Sequence, residues 1–101
     1  MEPISLTSHT DRTEITLQGV LDVSAARAAY QALNEALIRA LPVDLHSAKL
    51  ERLDGAALQV LAAFHRTVSD RGLRCEWRSV SAALKSGAAA LGLTEALGLS
   101  A

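Results

Sequence analysis

Apolar and polar residues alternate with a period of two near the start of the chain. Ile4 and Leu6 form one such run, Ile15 and Leu17 form a second, and the polar segment 8–11 lies between them. Alternation of this kind is typical of strands that bury one face. The pattern therefore predicts a hairpin of two strands.

The spacing of apolar residues becomes helical after Gly19. Alanine and leucine then recur three and four positions apart, which predicts a first helix from about Ser24 to Arg39. Either Asp22 or Ser24 can accept hydrogen bonds from the amides of its first turn. Pro42 stops this helix, because a proline ring cannot continue the hydrogen-bond ladder.

A second amphipathic pattern begins at Ala56. It ends at Arg71-Gly72, where the glycine can adopt the left-handed conformation that closes a helix. A third helix is predicted after Ser81, which can cap it, and a short helical tail is predicted from Thr94 to Leu97. The second half of the chain is therefore expected to contain two helices and a short helical tail.

Two further strands are predicted between these helices. Val43-Asp44-Leu45 is a short apolar strand, and the apolar residues of segment 73–77 alternate with charged ones. Cys75 is expected to fill the core, as unpaired cysteines usually do, whereas Trp77 can either fill the core or stand at the rim as a binding anchor. Residues 50–53 can be either a mere loop or part of a partner surface, and a loop beside a helix start favours the partner surface.

The predicted order is strand, strand, helix, strand, helix, strand, helix, helix. Strand–helix–strand connections require parallel neighbours, and right-handed crossovers place the helices against the sheet. We therefore expect an α/β fold with a small mixed, mainly parallel β-sheet packed with about four helices. The leading hairpin adds an antiparallel edge.

Composition limits the kinds of protein that this chain can be. Its 101 residues suit a single domain, 1–101, and 50% hydrophobic with 21% charged residues is typical of a folded globular chain. A formal net charge of -1 without a basic stripe argues against nucleic acid as a partner. No apolar run approaches the ~18 residues that span a bilayer, so we expect a cytoplasmic protein without membrane insertion. The single cysteine excludes an internal disulfide.

The residues with reactive side chains do not form a recognisable catalytic or metal-binding set. His9, His46 and His65 fall on different predicted elements without the spacing of metal ligands, and His46 is expected in a solvated loop. Asp44, His46 and Ser47 lie on one strand end, where their side chains diverge and cannot form a triad. The glycines do not cluster into a phosphate-binding loop. We therefore expect no enzyme activity, no cofactor and no metal ion.

Asp54 directly precedes the second helix. Its carboxylate can accept hydrogen bonds from the free amides of the first turn and complement the positive end of the helix dipole. The local sequence alone therefore gives Asp54 the role of a helix cap.

Several stretches together resemble the STAS family, the sulfate transporter and anti-sigma factor antagonist domains. Residues 43–47 and 53–61 resemble the family's V-D-L-S strand and the Asp-Ser/Thr-Ser/Gly-Gly-Leu motif that opens a helix. Gly19-Val20-Leu21-Asp22 resembles the G-x-L-D motif before the first helix, and residues 79–81 with 91–93 resemble the closing segments. The similarity covers almost the whole chain, and the predicted element order is that of the family.

The resemblance implies a regulatory protein-interaction module without catalysis of its own. In members that are switched by phosphorylation, a partner kinase modifies the serine or threonine that directly follows the motif aspartate. Asp54 matches that aspartate, but Gly55 follows it, and no phosphorylation is expected there. Three other serines remain open as acceptors: Ser47, Ser79 and Ser81.

The resemblance also implies a partner surface at the start of the second helix. The residues expected to form it are Asp22, Arg52, Asp54, Gly55, Ala56 and Ala57. These small residues permit close approach of a partner. Because the position after the motif aspartate lacks a hydroxyl group, we expect a constitutive binder. The implied partner is an anti-sigma factor of the histidine-kinase-like ATPase fold or a chemotaxis-type component, in bacterial signal transduction and transcription regulation. The alternative is a cytoplasmic STAS subunit of a lipid-transporting ABC system. A homodimer, in which the partner is a second copy of the chain, also stays open.

Overall fold

The computed structural model describes residues 2–99, which form a sheet of four strands with three α-helices. A 3-10 turn, Val23–Ala25, precedes the first helix. In chain order the elements are β1 Ile4–Ser8, β2 Thr13–Leu21, α1 Ala26–Arg39, β3 Val43–Leu53, α2 Gly55–Asp70, β4 Cys75–Ser79 and α3 Ala82–Ala90.

The strands lie in the spatial order β1-β2-β3-β4. β1 and β2 form an antiparallel hairpin, and β2, β3 and β4 are parallel neighbours. The sheet is therefore mixed and mainly parallel, with the antiparallel strand at one edge, and the α/β prediction is confirmed.

The core lies between one face of the sheet and the helices. Buried side chains from the sheet and from all three helices belong to a single cluster, which includes Ile15, Leu17, Val43, Leu45, Ala29, Leu33, Leu58, Leu61, Phe64 and Leu84. Each large aliphatic side chain in this cluster stabilises the fold by about 2 kcal/mol through its removal from water. Glu14, Asp44 and His46 alternate with these residues on β2 and β3 and therefore belong to the opposite, polar face.

β3 is much longer than the sequence predicts. It runs from Val43 to Leu53, so residues 50–53 belong to a strand and the loop prediction is wrong. Pairing with β2 supports this length, because Gly19 lies opposite Leu50, although register shifts interrupt the ladder. His46 lies within the strand rather than in a loop. Bulges break the period-two alternation, and this hid the strand.

Two other boundaries differ from the prediction. β4 begins at Cys75 rather than at residue 73, and α1 begins at Ala26 after the 3-10 turn. The helical tail predicted from Thr94 to Leu97 is only a turn, in which the amide of Leu97 donates to the carbonyl of Leu93 at 2.9 Å. Gly92 and Gly98, at φ +68 and +72, bracket this segment and limit its length.

Cys75 and Trp77 both pack against the core from β4. The indole Nε1 of Trp77 donates a hydrogen bond of 2.7 Å to the carbonyl oxygen of Leu97, which ties the C-terminal segment to the sheet. Of the two roles that the sequence leaves open for Trp77, the structure shows the one in the core.

Candidate functional site

Asp22 and Asp54 lie at the same edge of the sheet. β2 and β3 are parallel, and each of the two aspartates directly follows the last residue of its strand. The amide of Asp54 donates to the carbonyl of Leu21 at 3.3 Å, which joins the two strand ends. The carboxyl edge of a parallel sheet is a common position for binding sites, because helices begin there.

Asp54 caps α2, as the sequence predicts. Its backbone is extended, with φ -99 and ψ 177, and its Oδ1 accepts a hydrogen bond of 2.9 Å from the amide of Ala57. Its carbonyl accepts the first bond of the helix, from Leu58 at 3.1 Å. A cap of this type stabilises a helix by about 1 kcal/mol.

Gly55 is the first residue of α2 and is half-buried. A Cβ atom at this position would lie 3.5 Å from Cδ1 of Leu91, whose side chain is 49% exposed. Ala56 is exposed, and Ala57 is half-buried. The first turn of α2 therefore presents small side chains beside an exposed leucine, without a hydroxyl group.

Asp22 is held in place by the turn that leads into α1. Its Oδ1 accepts hydrogen bonds from the amide of Ser24 at 2.9 Å and from the Ser24 hydroxyl. The hydroxyl bond is the main cause of a lowered pKa for Asp22. A cleft of about 30 Å³ is lined by Asp22 together with Ala56 and Ala57. The structure thus brings Asp22 to the first turn of α2, but α1 itself begins without a side-chain cap at Ala25.

Arg52 lies on β3, two residues before Asp54, and is exposed. Its neighbour across the strand pair is Val20, which is 47% exposed. Arg52 is thus carried by a strand, and it shares the carboxyl edge with Asp54.

The three serines left open as acceptors join β3, β4 and α3. Ser47 is fully buried; its hydroxyl donates to the carbonyl of Ser79 at 3.0 Å and accepts from the amide of Ser81 at 3.3 Å. The Ser79 hydroxyl accepts from two amides of β3, and the Ser81 hydroxyl caps α3 by accepting from Leu84 at 3.1 Å. These hydroxyl groups are therefore engaged in structural hydrogen bonds.

The polar face of the sheet holds an ion cluster that sequence reasoning missed. Asp44 is only 5% exposed, and its carboxylate accepts hydrogen bonds from Arg74 at 2.8 Å and Arg78 at 3.1 Å, with Arg12 at 3.6 Å. Burial raises the pKa of Asp44, but the two hydrogen-bonded arginines outweigh this effect, and the pKa lies below its usual value. The one sequence signal was the alternation of charges along 74–78.

A second cluster on this face joins two of the histidines. Glu14 receives His9 Nε2 at 2.6 Å on one carboxylate oxygen and His46 Nε2 at 3.1 Å on the other. The bond with His9 is the main cause of a lowered pKa for Glu14. His9 reaches Glu14 from the turn between β1 and β2, and the pairing of β2 with β3 brings His46 to the same carboxylate. The spacing of the two histidines in the sequence gives no sign of this arrangement. Within residues 2–99, no group of three or more His, Cys, Asp or Glu side chains could hold a metal ion.

A groove between α1 and α2 was also missed. It has a volume of about 410 Å³, and Ala56 in the first turn of α2 is one of its lining residues. Its lining, which contains no charged residue, is formed by Tyr30, Leu33, Asn34, Leu37, Ala56, Gln59, Val60, Ala63, Phe64 and Thr67. We call it the α1–α2 groove. None of the helices in the described part of the chain has the length and apolar character needed to cross a membrane.

The mixed four-stranded sheet, the three helices and an aspartate that caps α2 are the features of a STAS-type domain. The family model described as "Mlab, STAS domain" matches residues 4–99. The chain therefore belongs to this family of STAS domains.

Solved structures support the same fold. An anti-sigma factor antagonist from Mycobacterium paratuberculosis superposes with a TM-score of 0.77 at 18% identity, over 91% of this chain and 79% of that chain. Mglu superposes with a TM-score of 0.66 at 26% identity, over 77% of this chain. The match spans only 20% of the Mglu chain. No curated protein matches this chain.

Proposed function

We propose that this STAS domain is a non-catalytic regulatory module that binds a partner protein through the start of α2. The surface consists of Asp22, Arg52, Asp54, Gly55, Ala56 and Ala57. Family membership over residues 4–99 supports a regulatory STAS module, and the resemblance to an anti-sigma factor antagonist supports binding of proteins in general.

One observation carries the choice of this surface. The Asp54 carboxylate is bound to the amide of Ala57, which fixes the start of α2, while Gly55 and Ala56 leave the backbone there accessible at close range. The first amides of a helix have no partner within the helix and can bind a carbonyl or carboxylate of another molecule. A partner can therefore dock on a rigid, preformed turn.

Constitutive binding is part of the proposal. The position after the capping aspartate is Gly55, so the residue that is phosphorylated in switched STAS proteins lacks its hydroxyl. Ser47 and Ser81 are buried, and their hydroxyl groups are hydrogen-bonded within the fold, which argues against either as a substitute.

The leading partner is an anti-sigma factor of the histidine-kinase-like ATPase fold, or a chemotaxis-type component, in a bacterial cytoplasm. The alternative is the ATPase of a lipid-transporting ABC system, with this chain as its cytoplasmic STAS subunit. The family model that matches the chain is described as Mlab, whereas a structural neighbour is named as an anti-sigma factor antagonist. The experiment must therefore distinguish these two classes of partner.

Affinity capture from the native cell extract tests the surface and identifies the class of partner. The variants are Asp54→Lys, which reverses the charge, and Asp54→Asn, which keeps a good helix cap and removes the charge. Asp70→Lys, at the exposed end of the same helix, is the matched control. Thermal unfolding of each variant separates lost binding from lost folding.

A kinase-like ATPase that is captured by the wild type and by Asp70→Lys, but not by Asp54→Lys, would support the leading proposal. Capture of a membrane-transport ATPase with the same variant pattern would support the alternative. Equal capture by all variants would exclude this surface, and phosphate on any serine of the recovered protein would contradict constitutive binding.

A further inference from the structure

Two large apolar side chains stand exposed on α1. Tyr30 is 67% and Ile38 is 75% exposed, the highest values for large hydrophobic residues in the described part of the chain. They lie eight residues apart with Asn34 midway, so they follow one stripe along the helix. Neither side chain belongs to the core, and neither is explained by folding.

This stripe borders the uncharged α1–α2 groove. Tyr30 and Asn34 form part of its wall, and Val60 and Phe64 of α2 line it from the other side. The same surface therefore carries protruding apolar side chains and an apolar hollow of about 410 Å³ next to them. A surface with both features can fit a second copy of itself.

The charges of α1 fit the same arrangement. Arg27 and Glu35 are exposed, and neither takes part in an ion pair within residues 2–99. They lie eight residues apart, about 12 Å along the helix, with Gln31 midway between them. Arg39, the other charged residue of α1, is turned away toward the carbonyl of His9 and the hydroxyl of Thr13.

We propose that this chain forms a homodimer in which the α1 helices of two copies pack antiparallel across a two-fold axis near Gln31. In this arrangement Arg27 of each copy lies opposite Glu35 of the other, so both charges find a partner of opposite sign. Tyr30 of each copy enters the groove of the other copy. A single self-complementary contact of this kind closes a symmetric dimer without open ends.

Charge complementarity distinguishes a second copy from another occupant of the groove. An unrelated amphipathic helix could fill the groove, but it would not need to carry charges that match Arg27 and Glu35. A second copy carries them by symmetry, because Arg27 and Glu35 lie at equal distances on either side of Gln31. The groove shares Ala56 with the proposed partner surface at the start of α2, but Asp54 and Gly55 do not line it. Sedimentation of the purified chain contains no other protein, so its outcome is separate from that of partner capture.

Sedimentation velocity over a concentration series, with the purified full chain, tests the dimer. We expect a wild-type dimer, and monomers for Tyr30→Arg and Ile38→Arg. Thermal unfolding of these variants should match that of the wild type diluted to monomer, because both side chains are mostly exposed and only the dimer adds stability. Val80→Arg is the matched control: Val80 is 37% exposed but lies between β4 and α3, outside the groove, and this variant should dimerise normally.

A charge exchange tests the proposed register. Arg27→Glu should raise the dimer dissociation constant roughly tenfold, because the symmetry places two like-charge contacts in the interface. The double variant Arg27→Glu/Glu35→Arg should restore the wild-type value, since both pairs are then reversed together. A wild-type chain that is monomeric at every concentration would overturn the proposal, as would a dimer that persists in Tyr30→Arg or a double variant no tighter than Arg27→Glu.

Discussion

Leu91 places its Cδ1 methyl 3.5 Å from the point where a side chain would begin at Gly55. This is an ordinary van der Waals distance, so a small side chain fits at the start of α2 without moving its neighbour. A large one must displace Leu91, which is 49% exposed and can turn into solvent. Substitutions at position 55 can therefore block the docking of a partner without lowering the stability of the fold.

Gly55→Ser should fold as stably as the wild type or up to about 0.5 kcal/mol better, because serine has the higher helix propensity. Gly55→Trp should also unfold at the wild-type temperature but should lose partner capture, since the indole covers the first turn of α2. Thermal unfolding and affinity capture check both outcomes. Ser69→Trp, at the exposed far end of α2, is the control and should still capture the partner. Unchanged capture by Gly55→Trp would show that the partner docks elsewhere.

The Asp44 cluster predicts an acid-sensitive fold. Asp44 has a lowered pKa in the folded chain, so its contribution to stability is present above its unfolded pKa of about 3.9 and is lost as the pH falls through the folded pKa. Asp44→Asn should lower the free energy of unfolding at neutral pH by about 1–3 kcal/mol, because it leaves the arginines facing one another. The loss is moderate because Arg12, Arg74 and Arg78 are 35–47% exposed.

Urea unfolding between neutral and acid pH checks this prediction. The wild type should lose stability steeply below about pH 4, and Asp44→Asn should lose less over the same interval. Asp11→Asn is the control, because Asp11 also pairs with Arg12 but is 74% exposed, and it should change stability by less than about 0.5 kcal/mol. If the free energy of unfolding fell in parallel with pH for the wild type and Asp44→Asn, Asp44 would not be responsible for the loss of stability in acid.

Features that depend on neighbouring residues could be predicted from the sequence. Asp54 caps α2 and Ser81 caps α3 because a capping side chain reaches an amide only two or three positions ahead. The hairpin and the parallel crossovers follow from periodicity and chain order. The parallel pairing of β2 and β3 places Asp22 and Asp54, which directly follow these strands, at the same end of the sheet.

Features that depend on strand pairing could not be predicted. Asp44 reads as part of an apolar strand, and only the pairing with β4 brings Arg74 and Arg78, 30 and 34 residues away, onto its carboxylate. The pairing of β2 with β3 likewise brings His46, 32 residues away, onto the carboxylate of Glu14. The α1–α2 groove depends on the distance between two packed helices. The spacing of apolar residues along either helix does not predict that distance.

Gly98 is expected to be far less tolerant than Gly92. Both have a positive φ, +72 and +68, but a Cβ at Gly98 would collide with Nε2 of His65, whereas a Cβ at Gly92 meets nothing within 4 Å. Gly92→Ala should cost about 1–2 kcal/mol for the left-handed backbone alone. Gly98→Ala should cost about 1 kcal/mol more, because the His65 ring must leave its place on the C-terminal segment.

A double-mutant cycle measures the contact between His65 and Gly98. With His65→Ala as background, Gly98→Ala should cost no more than Gly92→Ala, because the colliding ring is gone. Chemical denaturation of the four variants gives the coupling free energy. A coupling near zero would mean that His65 turns aside freely and does not hold the C-terminal segment.

Cys75 should be unreactive in the folded protein. Burial in the core raises the pKa of its thiol to about 12, and the thiolate is the form that attacks disulfide reagents. A coloured disulfide reagent at mildly alkaline pH should therefore react slowly with the native chain and rapidly in urea, where the thiol pKa returns to about 8.5. The reading is unambiguous because the sequence contains one cysteine. Fast labelling of the native wild type, at the rate seen in urea, would show that the packing of β4 against the core opens readily.

The raised pKa of Cys75 also affects stability at alkaline pH. The contribution of the thiol to the free energy of unfolding is fully present below about pH 8.5 and is lost as the pH rises toward the folded pKa, because the unfolded chain ionises first. Cys75→Ala should remove this contribution to the loss of stability at alkaline pH.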